Sequence, residues 1–336
     1  MTDLDAVWSA LESDGAGQPG LLLRRLNVPT FDVHLTQERP SRRLGFFVKV
    51  PDKPGTLWKE LRPSTGLDII VEARPGHDVT LLMTERDDRY HDIFAALVSD
   101  LIRGLHSLAA QPQGGRPLTL DFLTARITRW QACLRANDDG LDGEQAAGLF
   151  GELSTVTSLL SAGFDPMLAV DRWTGPSGAI QDFQLERLTL EIKASRQTQP
   201  TNVRISSERQ LDTSTHDRLL LVHYALDERS DGSGTTLPEK VVEVRSLLAA
   251  GNAGLLFDDR LIDYGYLDFH APRYADRSYT IRSVDHFDVR HPMPRIVESD
   301  LPVGVGRVAY DLALSACEPF RLTAAQVGAM YEEALA

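Results

Sequence analysis

The sequence predicts an α/β (α+β) fold, a mixed-sheet core flanked by helices and preceded by a strand-rich N-terminal domain. Three observations predict it. Short apolar and β-branched runs, punctuated by Gly, Pro and Asp, fill the first third of the chain. Further along, an apolar helical stretch precedes four strand-like runs and another helix, an order that packs helices on a mixed sheet. The 336 residues are 42% hydrophobic, enough for one large core or two moderate ones.

The first elements are LGFFVKV (44–50), LDIIVEA (67–73) and VTLLMTE (79–85), all strand-like. PDKPG (51–55) and ARPGHD (73–78) mark the turns between them. Apolar residues at helical spacing make helices of 90–108 and 118–136, with a linker at 111–117. NDDGLDG (137–143) breaks the second helix. A helix over 143–163 opens the core. The loop 164–178 then leads to AIQDFQLE (179–186) and RLTLEIKAS (187–195). Strands NVRIS (202–206) and RLLLVHYAL (218–226) follow, then a polar loop (227–236) and a helix over 237–251 that stops at Gly. YGYLDFH (264–270), SYTIRSV (278–284) and HFDVRH (286–291) carry strand signals, and a last helix begins at Thr323. Three domains are expected: 1–115, 116–260 and 261–336.

The net charge of −13 argues against a chain that wraps nucleic acid unaided, because phosphate neutralisation needs a clustered basic surface. A local basic groove remains compatible with it. No apolar run approaches the roughly 18 residues of a membrane span. The acidic start, MTDLDAVWSALESDG, lacks the features of a signal peptide. A cytoplasmic protein with no membrane partner is expected, and the two cysteines, Cys133 and Cys317, fit a reducing compartment. The nine histidines show no metal-binding spacing, and no GxSxG occurs. GVGR (304–307) stands outside any Walker or dinucleotide fingerprint.

Chemistry concentrates in 180–194, IQDFQLERLTLEIKA. Side chains alternate faces in an extended chain. Leu188, Leu190 and Ile192 then share one face, and Thr189, Glu191 and Lys193 the other. If the two runs pair as a hairpin turning near Glu186–Arg187, Asp182 comes beside Glu191 and Lys193. Hard divalent cations take such oxygen ligands, usually one or two carboxylates plus a substrate phosphate. A nearby ammonium orients a water or offsets charge in the transition state. EIK at 191–193 is the chain's one [DE]-x-K match, and with five lysines about one is expected by chance. A plain surface strand with Glu191 and Lys193 as solvated neighbours is the competing reading.

The wider order separates the two. GLFGELSTVTSLL, W-x-GP at 173–176, QDF at 181–183, EIKAS at 191–195 and ISSERQLD at 205–212 resemble a bacterial family of PD-(D/E)XK motif proteins. That family was formerly described only as a domain of unknown function. The resemblance covers roughly 140–250 and implies a restriction-endonuclease-like core. It implies Asp182 and Glu191 as metal ligands for Mg²⁺, with Mn²⁺ as a substitute, and Lys193 as the residue that assists the attacking water. Glu152 matches an acidic residue that such nucleases add from the first core helix, as a metal ligand directly or through water; an exposed helix residue is the other reading. Gln210 matches a polar catalytic residue on the next helix. Ser206 and Ser207 would contact a backbone phosphate or cap that helix. Trp173 would pack over the site or anchor its loop. Gln181 stands where the motif's proline would be, and that proline shapes a turn without taking part in the chemistry.

The resemblance further implies a Mg²⁺-dependent endonuclease acting on DNA within a prokaryotic antiphage defence system. Helicase-like or MutL-like ATPase subunits would be its partners, and a homodimer is compatible with this. The alternative is a catalytically inactive scaffold subunit that keeps the nuclease fold.

Overall fold

The computed structural model describes residues 4–14, 19–51, 61–64, 66–73, 78–111, 119–136, 139–196, 201–248 and 252–335. The chain divides into two compact units, Met1–Asp138 and Asp139–Ala336. This puts the helix at 119–136 in the first unit, and the second takes in both the expected core and the expected C-terminal extension.

In the first unit, α1 (Leu4–Asp14) precedes β1 (Gly20–Arg25), β2 (Asp32–Arg39), β3 (Leu44–Val50), β4 (Leu67–Glu72) and β5 (Val79–Glu85). These form an antiparallel sheet in the order β1-β2-β3-β5-β4. Alternation decides its face: Val33 and Leu35, Phe46 and Val48, and Leu81 and Met83 are all buried. Helices α2 (His91–Ala109) and α3 (Thr119–Ala136) follow, and α2 buries Leu97, Leu101, Leu105 and Leu108 along one side. The expected turns at 51–55 and 73–78 and the linker at 111–117 fall largely outside the described residues. The first two strands and α1 are additions to the expected elements, because DVHLTQER and GLLLRR mix polar and apolar residues without a clean strand boundary.

The second unit is built from α4 (Gly143–Ser161), α5 (Pro166–Asp171), β6 (Phe183–Gln184), β7 (Thr189–Ser195), β8 (Asn202–Ile205), β9 (Leu219–Arg229), β10 (Thr235–Thr236), α6 (Leu237–Leu247), α7 (Ala253–Tyr264), β11 (Ser278–Asp288), β12 (Tyr310–Ala313) and α8 (Ala324–Leu335). Its main sheet runs β10-β11-β9-β7-β6. The β7–β9 pair is parallel and the others are antiparallel, so the sheet is mixed. Both faces are covered. Leu220, Val222 and Leu226 of β9 join the core that includes α4 and α6, while Leu219 and Leu221 join Val203, Ile205 and Phe287 on the other side. A strand buried on both faces reads as a continuous apolar run, which is why 218–226 is legible.

Asp142 starts α4 by accepting from Glu144 N (2.8 Å) and Gln145 N (2.9 Å), and Gln145 Oε1 accepts in return from Asp142 N (3.0 Å). Gly151 faces the sheet, where a Cβ would make ordinary contacts with Tyr224, Ala194 and Ile192 at 3.4–3.5 Å. The expected strand at 264–270 is corrected. Tyr264 ends α7, Gly265 turns the chain with φ 104°, and a 3-10 segment (Asp268–Tyr274) follows. Its aromatic residues serve packing, with the Tyr266 and Tyr274 rings stacked at 5.8 Å. SYTIRSV and HFDVRH are one strand, β11. Among the described residues, no helix is long and apolar enough to cross a membrane.

Candidate active site

The β6–β7 hairpin organises the site. Phe183 pairs with Leu190 and Gln184 with Thr189, and Leu185 N donates to Leu188 O at 2.9 Å to close the turn around Glu186 and Arg187. One step beyond the paired residues, Asp182 comes opposite Glu191 of β7. Its Oδ2 accepts from Ile192 N at 2.7 Å, which fixes the carboxylate there. Leu188, Leu190 and Ile192 enter the helix-side core, and Glu191 and Lys193 lie on the opposite face, as alternation demands.

Glu191 is fully buried. Its Oε1 meets Lys193 Nζ at 2.8 Å and accepts from Gln210 Nε2 at 2.7 Å. Its Oε2 has no hydrogen-bond partner among the described residues. Gln210 Oε1 accepts from Ser206 N at 2.7 Å and stands 3.5 Å from Lys193 Nζ. Gln210 therefore touches both charged residues of the Glu-x-Lys pair. It sits on a turn rather than the expected helix. Ser207 Oγ accepts from Arg209 N at 3.2 Å, and Gln210 N donates to Ser207 O at 3.1 Å. Such local side-chain bonds offer the backbone an alternative to helix.

Glu152 comes from α4 and is buried, not exposed. Trp173 Nε1 donates to its Oε2 at 2.6 Å, while the Tyr264 hydroxyl donates to Gln145 O at 3.4 Å on the same helix. Trp173 is itself wholly buried, packed against Phe257 at 5.9 Å and Tyr264 at 6.4 Å between ring centroids. Thr174 N and Gly175 N both donate to Asp182 O, at 2.8 and 3.0 Å. Gly175 leaves space that matters: a Cβ there would stand 2.9 Å from Asp182 Oδ1 and 3.1 Å from Glu152 Oε2. The two carboxylates thus flank one small cradle beside the W-x-GP turn. Gln181 Nε2 donates to Arg209 O at 3.0 Å, tying the hairpin to the turn that carries Gln210. Tyr264 and Gly175 are site residues that the sequence reading does not single out. W-x-GP is a signal for Gly175, but Tyr264 lies far along the chain and has none.

Burial dominates the electrostatics. It raises Asp182 to about 6, although Ile192 N–H and Lys193 pull it down. Burial, then repulsion from Asp182, raises Glu191 to about 8 against the pull of Lys193. Burial, then the charges of Asp182 and Glu191, holds Glu152 well above the usual carboxylate value. Burial works against the Lys193 ammonium too, but Glu191, Asp182 and Glu152 outweigh it and keep its pKa above that of free lysine. Three acids oppose one another's ionisation and share a single ammonium, so the site is short of positive charge.

A hard divalent cation fits this donor set. Glu191 Oε2 is buried and unpartnered, and the cradle at Gly175 is rimmed by carboxylate oxygen. Among the described residues, no group of three or more His, Cys, Asp or Glu stands ready to hold a metal ion. A cation would therefore rest on one or two carboxylates and complete its shell with water and phosphate, the usual habit of Mg²⁺.

A mixed sheet under helices, with a carboxylate–Glu-x-Lys hairpin at its edge, defines a nuclease-like protein of the PD-(D/E)XK class. Residues 4–315 match the family described as "Putative PD-(D/E)XK family member, (DUF4420)", and the chain belongs to that family. No curated protein and no solved structure matches the chain. Nucleases of this class typically use divalent metals.

Proposed function

We propose that this protein is a Mg²⁺-dependent endonuclease that hydrolyses phosphodiester bonds in DNA, with Mn²⁺ able to replace Mg²⁺. The observation that carries the reading is the meeting of Asp182, Glu191 and Lys193 beside the middle of β7, with one Glu191 oxygen left unpartnered among the described residues. Asp182 and Glu191 would hold the cation, and Glu152 would contribute directly or through water. When bound, the cation polarises a phosphoryl oxygen and acidifies a water. Lys193, already held in position by Glu191 and Gln210, orients the attacking water and offsets charge building on the phosphate. The buried aromatic wall around Glu152 excludes bulk water from that side.

The acidic chain suits a subunit of a prokaryotic antiphage defence complex. In such a complex, helicase-like or MutL-like ATPase partners would bring the DNA. Plasmid cleavage with and without Mg²⁺ tests the activity, comparing wild type with Asp182→Ala and Lys193→Ala. Loss of about 100- to 1,000-fold in either variant is expected, the scale of removing one transition-state donor. Equal cleavage by all three proteins would remove the assigned site.

One observation favours the scaffold reading. The Lys193–Glu191 ion pair at 2.8 Å already satisfies one Glu191 oxygen without a cation. A wild-type protein that binds neither Mn²⁺ nor Mg²⁺ in calorimetry would be that scaffold.

A further inference from the structure

Among the described residues, Arg295 and Arg307 stand near the turn that carries Gln210 without a carboxylate partner. Most arginines around it are neutralised in ion pairs: Arg209 with Glu298 at 3.0 Å, Arg204 with Asp311 at 3.3 Å and Arg290 with Asp288 at 3.2 Å. Among the described residues, no such pair engages Arg295 or Arg307.

Arg295 is partly buried. Its Nη2 reaches only Thr213 Oγ1, at 3.4 Å, and its buried Nη1 has no hydrogen-bond partner. A guanidinium has five donors and no acceptor, so a buried N–H left unmatched is costly unless an anion completes it. The location matters as much as the unmatched donor. The Tyr310 hydroxyl, which accepts from Ile296 N at 3.2 Å, feels the positive charge of both Arg295 and Lys193. Thr213, the partner of Arg295, stands three residues past Gln210, so Arg295 flanks the segment that reaches Glu191 and Lys193.

Arg307 is exposed on the loop that leads into β12. Glu208 fixes that loop, accepting from Arg307 N at 3.3 Å and Val308 N at 2.8 Å. Glu208 precedes Gln210 by two residues on the same turn, so the loop is fastened to the segment that reaches Glu191 and Lys193. The Arg307 backbone has φ 58°, a left-handed conformation that an L-residue adopts only when its surroundings impose it. The loop ahead of it is turned fully to solvent at Val303. Anchored on one side and open on the other, this segment holds its guanidinium outward.

We propose that Arg295 and Arg307 form a phosphate-binding rim that grips the sugar–phosphate backbone of a nucleic-acid strand beside the residue it presents to Lys193. This rests on the nuclease reading for the identity of the strand. Arg295 takes the backbone phosphate nearer the carboxylates through its unmatched N–H, and Arg307 takes one further along the same strand. Two positioned guanidiniums give a chain of net charge −13 a local grip without a broad basic surface.

The test is binding of a fluorescein-labelled DNA duplex by anisotropy in EDTA, so that no cutting occurs, over a series of salt concentrations. The proteins are full-length wild type, Arg295→Ala, Arg295→Lys, Arg307→Ala and the double Ala variant. Removing one phosphate-binding cation lowers the salt slope by about one. The double variant should therefore bind more weakly and with a slope smaller by about two than wild type. Arg295→Lys separates charge from folding: it should keep part of the affinity, and thermal melting of every variant checks the fold. Wild-type affinity and slope in the double variant would overturn the rim, as would a wild type that binds no DNA. If wild type binds DNA through these arginines yet never cuts with Mg²⁺, the nuclease reading fails while the rim stands. If wild type cuts and the double variant cuts and binds equally well, the reverse holds.

Discussion

The Trp173 indole nitrogen donates to Glu152 Oε2 at 2.6 Å, across 21 residues of sequence and from a fully buried ring. The same residue that begins W-x-GP thus fixes the carboxylate offered by α4. Trp173→Phe keeps an aromatic ring there while removing the indole donor, along with part of the buried volume. Leaving a buried acceptor unmatched costs about 1–3 kcal/mol. A urea melt of the variant should show at least that loss. An unchanged midpoint would mean that Glu152 does not need the indole donor.

Gly175 should be intolerant of a methyl group for a reason local to the site. The added carbon would stand 2.9 Å from Asp182 Oδ1, and the backbone φ there needs no glycine. Gly175→Ala should therefore fold, yet bind Mn²⁺ about 10- to 100-fold more weakly, the scale of disturbing residues that orient metal ligands. Melting curves check the fold, and titration calorimetry reads the affinity. Full Mn²⁺ affinity in the variant would show that the cradle is not used.

The metal-free protein should lose stability as pH rises from about 4 to about 8. Asp182 and Glu191 titrate at about 6 and about 8 when folded, above their unfolded values. Through that window the folded state holds more protons than the unfolded one, so raising pH favours unfolding. Below the unfolded values the benefit is complete, and it disappears by the time pH passes about 8. Melting curves in EDTA should show this decline, and Glu191→Gln should flatten its upper part. A divalent cation should stabilise more at pH 8 than at pH 6, because it competes with protons for the same oxygens.

Gln210→Leu removes three interactions at once: those with Glu191 Oε1, Ser206 N and Lys193 Nζ. Lys193 and Glu191 keep their own ion pair. Cleavage should fall well below wild type while the Lys193 charge remains, and the pH–rate profile should shift, because the Glu191 environment has changed. An identical profile would reduce Gln210 to a turn residue.

The hairpin is legible in the sequence because period-two alternation is a geometric rule with few exceptions. Asp182, Glu191 and Lys193 fall together once the turn at Glu186–Arg187 is placed. Glu152 is readable as a position but not as a buried one, since its burial depends on Trp173 and Tyr264 arriving from elsewhere. Gln210 is expected on a helix because the family resemblance places a polar residue there; the Ser207–Arg209 bond instead closes a single turn. YGYLDFH looks like a strand because aromatic residues favour strands, yet Gly265 and the stacked Tyr266 and Tyr274 make it a bend. Tyr264 shows the limit: nothing near it in sequence points to Glu152.

Gln181 stands where the motif's proline would, and a proline could not do what it does. Its side-chain amide reaches Arg209 O, so the strand bearing Asp182 and the turn bearing Gln210 hold each other. Neither can open alone without breaking that tether. Amide hydrogen exchange of Ile192, which donates to Asp182, and of Ser206, which donates to Gln210, should therefore proceed through one shared opening event. Shared exchange of the two amides would make the two halves of the site a single cooperative unit rather than separate loops.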